Sequence, residues 1–142
     1  MMAGKQNPEA GTLETLSEQE CLRLIGAGGI GRVAFGGAPG PTVFPVNYRL
    51  LNGEVVFRIR QGGTMDESLR SGIEDVDVKI AFQIDHIDEV NHEGWSVLIQ
   101  GPAHHVAEND IKAIVDSWAG DDRDHYIRIT PQRVTGRRIN RL

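Results

Sequence analysis

Apolar residues recur at every second position along much of this 142-residue chain, a spacing that predicts a protein built mainly of strands. In "VDVKIAFQID", Val76, Val78, Ile80, Phe82 and Ile84 share one face, with Asp77, Lys79, Gln83 and Asp85 mostly opposite. Upstream, "GRVAF" and "PTVFPVNYRL" are separated by the turn "GGAPG", and Asn52-Gly53 is a hairpin signal leading into "VVFRIR". These three segments form a meander. "GWSVLIQGPAHHV" reads as a fifth strand after the loop "VNHEG", and "DHYIRITPQRVTGRRI" as a sixth, bent near Pro131.

Helical spacing is confined to short stretches. In "LSEQECLRLI", Ser17 and Glu20 make a capping box and Leu16 can staple onto Cys21, while Leu22, Leu24 and Ile25 supply an apolar side. "GAGG" ends that helix. Another short helix is expected after Thr64, and Ile111, Ile114, Val115 and Trp118 predict one in "NDIKAIVDSW", with Asn109 as its cap. Short hairpin connections favour a sheet closed into a barrel over a βαβ layout. The expected organisation is a polar, flexible tail over residues 1–14 and one domain over 15–142, mainly β, with six antiparallel strands and short flanking helices.

Charge narrows the partners. A formal charge of -5 argues against a nucleic-acid or anionic-membrane binder, since both need a basic surface, so any anion site must be local. The lone Cys21 excludes an internal disulfide and fits a reducing compartment. No apolar run approaches the ~20 residues of a membrane span, and the first residues lack the apolar core of a signal peptide. A cytoplasmic protein is expected.

Several motifs invite chemistry. "GAGGIG" carries dinucleotide-type glycines at Gly26, Gly28 and Gly31, but that fingerprint needs a strand before it and a helix after it. Here the order is reversed, and a helix cap is the better reading. His104 and His105 are adjacent on a strand and so point to opposite faces, and His86, His92 and His125 lack ligand spacing. No metal site is expected. "FRIRQGGT" is more specific: Arg58 and Arg60 share one strand face, Phe57 and Ile59 the other, and "GGT" brings backbone amides and a hydroxyl to a helix start. Two readings stand for it, a bidentate phosphate grip or a solvated face whose arginines pair with acidic neighbours. Trp95 and Asn47 carry the same ambiguity, as platform and ring-edge reader or as ordinary packing and backbone satisfaction. The arginines of "RVTGRRINRL", Arg133, Arg137, Arg138 and Arg141, read as a solvated edge strand or as a local phosphate or partner contact.

Taken in order, "LSEQECLRLI", "GRVAF", "PTVFPVNYRL", "EVVFRIRQGGTM", "VKIAFQIDHID", "GWSVLIQGPAHHV" and "RITPQRVTGRRI" resemble the pyridoxamine 5'-phosphate oxidase-like family of flavin-binding split β-barrels, especially its small actinobacterial members. The likeness runs from about Leu16 to Ile139. It implies a homodimer with flavin sites at the subunit interface. The strand matching "FRIR" and its following loop would hold the flavin phosphate and ribityl chain, which assigns Arg58, Ile59, Arg60 and Thr64 to that role. "VNY" would place Asn47 near the isoalloxazine ring, and "GWSV" would bring Trp95 and Ser96 to the cofactor. The implied activity is hydride transfer between FMN and a small substrate, with no catalytic acid or base picked out by the sequence. One departure bears on the cofactor. Relatives commonly carry a lysine directly after the loop threonine, where this chain has Met65. Losing one charge-assisted contact costs roughly 1.5 to 3 kcal/mol, about one to two decades in affinity. That leaves two alternatives on the same fold, an F420-dependent reductase and a non-catalytic flavin- or haem-binding module.

Overall fold

In the segment Gly29–Phe35, Gly31, Val33 and Phe35 are buried while Ile30 and Arg32 face solvent, and the same alternation organises the rest of the molecule. The computed structural model describes residues 11–36, 40–60, 63, 78–106 and 124–140. The elements in chain order are β1 (Thr12–Leu16), α1 (Glu18–Ile25), β2 (Gly29–Phe35), β3 (Thr42–Leu51), β4 (Glu54–Arg60), β5 (Val78–Asp88), β6 (Glu93–His105), β7 (Asp124–Ile129) and β8 (Arg133–Asn140). The helices expected after Thr64 and at 110–118 lie outside the described residues.

The strands form one antiparallel sheet in the order β1-β8-β6-β5-β2-β3-β4-β7, and a further pairing of β7 with β6 closes β2 to β7 into a six-stranded barrel. The meander expected from the sequence is present. Asn52 and Gly53 both have positive φ, 51° and 78°, so the β3–β4 connection has the backbone of a two-residue hairpin turn. The expected face of β5 is also present, with Ile80, Phe82 and Ile84 buried. Phe82 stands at the centre of the core, stacked on Phe57 at 5.5 Å and edge-on to Tyr48 at 5.4 Å.

Two features differ from the sequence reading. The segment expected as one bent strand is two, β7 and β8, and each pairs with a different half of β6: Ala103 to His105 with β7, Gly94 to Gln100 with β8. The partner changes at Gly101 and Pro102. Chain 130–132 crosses there, with the Thr130 N–H donating to the Pro102 carbonyl (3.1 Å) and the Gln132 N–H to the Gln100 carbonyl (2.9 Å). A Cβ on Gly101 would sit 2.0 Å from the Thr130 carbonyl oxygen, so only glycine admits the crossing. The second difference is β1, which starts at Thr12 inside the stretch expected to be flexible and pairs with β8 from Thr12↔Asn140 to Leu16↔Gly136. Its backbone donors and acceptors are drawn into the sheet although its side chains from Thr12 to Thr15 stay exposed.

Helix α1 covers this extension. Ser17 caps it by accepting from the Glu20 N–H at 3.1 Å, as its sequence predicts. The Glu20 carboxylate turns to Arg23 and Arg138, not back to the cap. Cys21 and Ile25 are fully buried against the sheet, with the Cys21 Sγ over Gly136, and burial raises the Cys21 thiol pKa. Among the described residues no helix is long and apolar enough to cross a membrane.

Candidate functional site

Asn47 and Arg58 meet through strand register. The β3–β4 ladder runs from Leu51↔Glu54 to Tyr48↔Phe57, which puts Asn47 and Arg58 one step beyond it on the outer face, with Arg49 two residues along. Together with Gly28, Gly29 and Tyr48 they line a concavity of about 460 Å³. Its third wall is the turn out of α1, where Gly28 has φ +75° and Gly29 φ +139°; a Cβ on Gly29 would meet nothing within 4 Å. The turn is pinned from beneath, because the buried Tyr48 hydroxyl and the Gly28 N–H both donate to the Ile25 carbonyl, at 2.9 and 3.1 Å. Burial pushes the Tyr48 pKa up to about 12, so its phenol is a neutral donor at ordinary pH. Among the described residues, two guanidiniums, one carboxamide and exposed backbone, with no described carboxylate in the lining, form a donor set suited to an oxyanion.

The other expected site residues divide. Ile59 is 6% exposed and belongs to the barrel core with Phe57 and Ile127, so its side chain does not face a ligand on the outer surface. Period two sends Ile59 and Arg58 to opposite faces, as the sequence alternation predicts. The backbone of Arg60 pairs with Asp124 on β7, while its side chain and Thr64 lie outside the described residues.

Trp95 and Ser96 are also adjacent and therefore divergent. Trp95 is flanked in the sheet by His86 and Arg138, and its ring stacks on His86 at 6.4 Å with planes 28° apart. Ser96 is flanked by Asp85 and Arg137 on the opposite face. A concavity of about 240 Å³ on the Trp95 side is lined by His86, Asp88, Glu93, Trp95 and Arg138; another of about 220 Å³ is lined by Leu13, Ile87, Trp95, Ser96, Arg137 and Ile139, so Trp95 and Ser96 border one depression although their side chains leave the strand on opposite faces. Within one protomer β5 and β2 also stand between Ser96 and Asn47, a separation of roughly 14 Å at the usual strand spacing. The polar chain Arg32–Asp85 (3.6 Å) and Gln83–Asp85 (2.8 Å) lies on that intervening face.

Arg49, Gly28 and Gly29 were missed in the sequence reading. Arg49 was legible, since it shares a strand face with Asn47, whereas the glycines were read only as a helix cap. No group of three or more potential metal ligands gathers among the described residues.

Comparison with known proteins places this geometry in context. Residues 17–138 match the family model described as "Pyridoxamine 5'-phosphate oxidase". The chain is 32% identical over 128 residues to the uncharacterized protein Rv0080 of Mycobacterium tuberculosis, covering 87% of this chain and 84% of that protein. Among solved structures it is similar to the FAD binding protein from Mycobacterium smegmatis, with 26% identity, a TM-score of 0.72 and coverage of 89% of this chain and 100% of the other. A FAD-binding protein of Mesorhizobium loti shares the fold at 20% identity, with a TM-score of 0.70 and coverage of 92% and 98%.

Proposed function

Because the chain belongs to the pyridoxamine 5'-phosphate oxidase family, we propose that it binds FMN and transfers a hydride between that cofactor and a small molecule. The observation that carries this reading is the concavity where Asn47, Arg49 and Arg58 meet the open backbone of Gly28 and Gly29. Its donors fit the phosphate and ribityl hydroxyls of a flavin nucleotide, and the related Mycobacterium smegmatis protein is a FAD binding protein.

In this reading the guanidiniums of Arg58 and Arg49 hold the phosphate, and Tyr48 keeps the Gly28–Gly29 wall in place from below. Asn47 offers both a donor and an acceptor to a ring edge or a ribityl hydroxyl. Bound flavin supplies the two-electron chemistry; the protein orients it and sets its surroundings. Ser96 stands roughly 14 Å from Asn47 within its own protomer, and in this reading it serves the cofactor of a second subunit, as the family resemblance implies. The reading therefore includes a homodimer. Leu13, Ile30, Ile87 and Ile139 lie on the same outer face as Ser96 and Asn47 and are 45 to 63% exposed, an apolar patch for a second copy to cover.

The direct test is to titrate the purified protein with FMN and with riboflavin, following flavin fluorescence and absorption, and then to look for bleaching with a hydride donor. Saturable binding of one FMN per chain, tighter than riboflavin, supports the reading; failure to bind either flavin at micromolar concentrations overturns it. Binding without turnover by any donor or acceptor leaves the flavin site standing and removes the enzymatic half.

A further inference from the structure

A second concavity, about 510 Å³, lies on the outer face where β6 changes partners, and the flavin reading leaves it unused. Its floor is part of a continuous row across five strands, in which Val43↔Ala34, Ala34↔Ala81, Ala81↔Gln100 and Gln100↔Arg133 are successive register pairs; Ala34, Ala81, Gln100 and Arg133 line the concavity and Val43 lies beyond its apolar end. The row grades from apolar to cationic. Val43, Ala34 and Ala81 present only methyl groups, whereas Gln100 and Arg133 present a carboxamide and a guanidinium. Lys79 stands two residues from Ala81 on the same face, and Gln132 is held beside Gln100 by its backbone bond to the Gln100 carbonyl. The small Ala34 and Ala81 leave the depression, and the crossing at Gly101 supplies its far wall.

Its electrostatics run against the net charge of the chain. In a chain of net charge -5, the described lining residues include two cations, two primary amides and no carboxylate. Arg23, Arg32, Arg128 and Arg138 each engage an acidic side chain, but among the described residues Lys79, Gln100, Gln132 and Arg133 have no side-chain hydrogen bond or ion pair. Convergent donors without an internal acceptor, beside an apolar floor, match a ligand of one polarity pattern.

We propose that this seam binds a small organic oxyanion, a phosphate or carboxylate on an apolar or aromatic body, at a site separate from the Asn47–Arg58 concavity. The anionic group sits between Lys79 and Arg133 with the amides of Gln100 and Gln132, and the body lies along Ala81 and Ala34 toward Val43. The row spans roughly 14 Å from Ala34 to Arg133, enough for a ligand of one or two rings. This inference stands independently of the flavin reading, because it uses none of the same side chains.

Phenyl phosphate is the probe, with phenol and inorganic phosphate as its two halves, titrated into the full chain and followed by amide and side-chain NMR shifts. Saturable shifts at Gly101 and at the Gln100 and Gln132 carboxamides, with phenyl phosphate binding about tenfold or more tighter than either half, are expected. Lys79→Gln and Arg133→Gln should each weaken that binding by about tenfold, since each removes one charge-assisted contact from an exposed position without disturbing the core. Ala81→Leu should block the body while leaving both charges, and Arg58→Gln should leave the phenyl phosphate titration read at Gly101, Gln100 and Gln132 unaltered. Shifts that never saturate, or an equal loss from Arg58→Gln, would overturn the site. If Arg133→Gln weakens FMN but not riboflavin, the seam is the phosphate end of the flavin site and the separate site is likewise refuted.

Discussion

The Tyr48 hydroxyl donates to the Ile25 carbonyl across 2.9 Å, joining the middle of β3 to the end of α1. That bond fixes the turn whose glycines form one wall of the candidate flavin site. Tyr48→Phe keeps the ring packing against Phe82 but leaves the carbonyl with only its bond from Gly28. The expected cost is about 1 kcal/mol, a fall of about 2–4 °C in Tm. The variant should also flatten the alkaline limb of stability. Burial raises the Tyr48 pKa from 10.0 to about 12, so its contribution is complete below pH 10.0 and is lost as pH rises toward about 12. Unfolding curves at pH 8 to 12 for both proteins check this, and identical alkaline limbs would show that Tyr48 is not the group responsible.

Glu20 works at the other end of the scale. Hydrogen bonds from Arg23 and then Arg138 hold its carboxyl down to about 2, from an ordinary 4.5. A depressed carboxylate stabilises the fold above its unfolded pKa, and that contribution fades as pH falls from 4.5 toward about 2. Glu20→Gln should therefore lower stability at pH 6 and narrow the difference from the parent near pH 2. A constant gap across that range in urea titrations would contradict the assignment.

Gly101→Ala tests the split in the barrel. Its methyl group would press on the Thr130 carbonyl oxygen 2.0 Å away, where the chain crosses from β7 to β8. Overpacking at a backbone contact is expected to cost about 1–3 kcal/mol, read as a lower midpoint in chemical denaturation. A loss within about 0.5 kcal/mol, the range of an ordinary surface change, would mean the crossing is looser than described.

Arg58→Gln separates phosphate recognition from ring recognition. FMN affinity should fall by about tenfold or more with riboflavin nearly unaffected, since only FMN carries the phosphate. Equal losses for the two flavins, measured by fluorescence titration, would remove Arg58 from the phosphate grip.

Ile87→Arg and Ile139→Arg place charge in the apolar patch beside Ser96. Light scattering should show a dimer for the parent and a monomer for the double variant, with FMN affinity falling alongside if Ser96 serves its partner. A monomeric parent at micromolar concentration would end the dimer reading.

Much of this architecture was readable locally. The alternation of Ile80, Phe82 and Ile84, the Asn52-Gly53 hairpin and the Ser17 cap each depend on residues within a few positions of one another. The reciprocal half of the capping box was not, because Glu20 is claimed by Arg138, 118 positions away. The alternation that separates Ile59 from Arg58, and Trp95 from Ser96, was likewise local and readable.

By itself, the sequence determined most of the strand segments, which face of each is apolar and where the one described helix begins. It could not determine which strands lie side by side, because register between distant segments is set by the packing of the whole barrel and not by periodicity along any one of them. Only the tertiary structure decided that β6 serves two partners, that Thr12–Leu16 extends the sheet, and that Asn47 meets Arg58 while two strands stand between Asn47 and Ser96. It alone assembled Ala34, Ala81, Gln100 and Arg133 into one row, although they come from four different strands and span 99 positions from Ala34 to Arg133 (133 less 34).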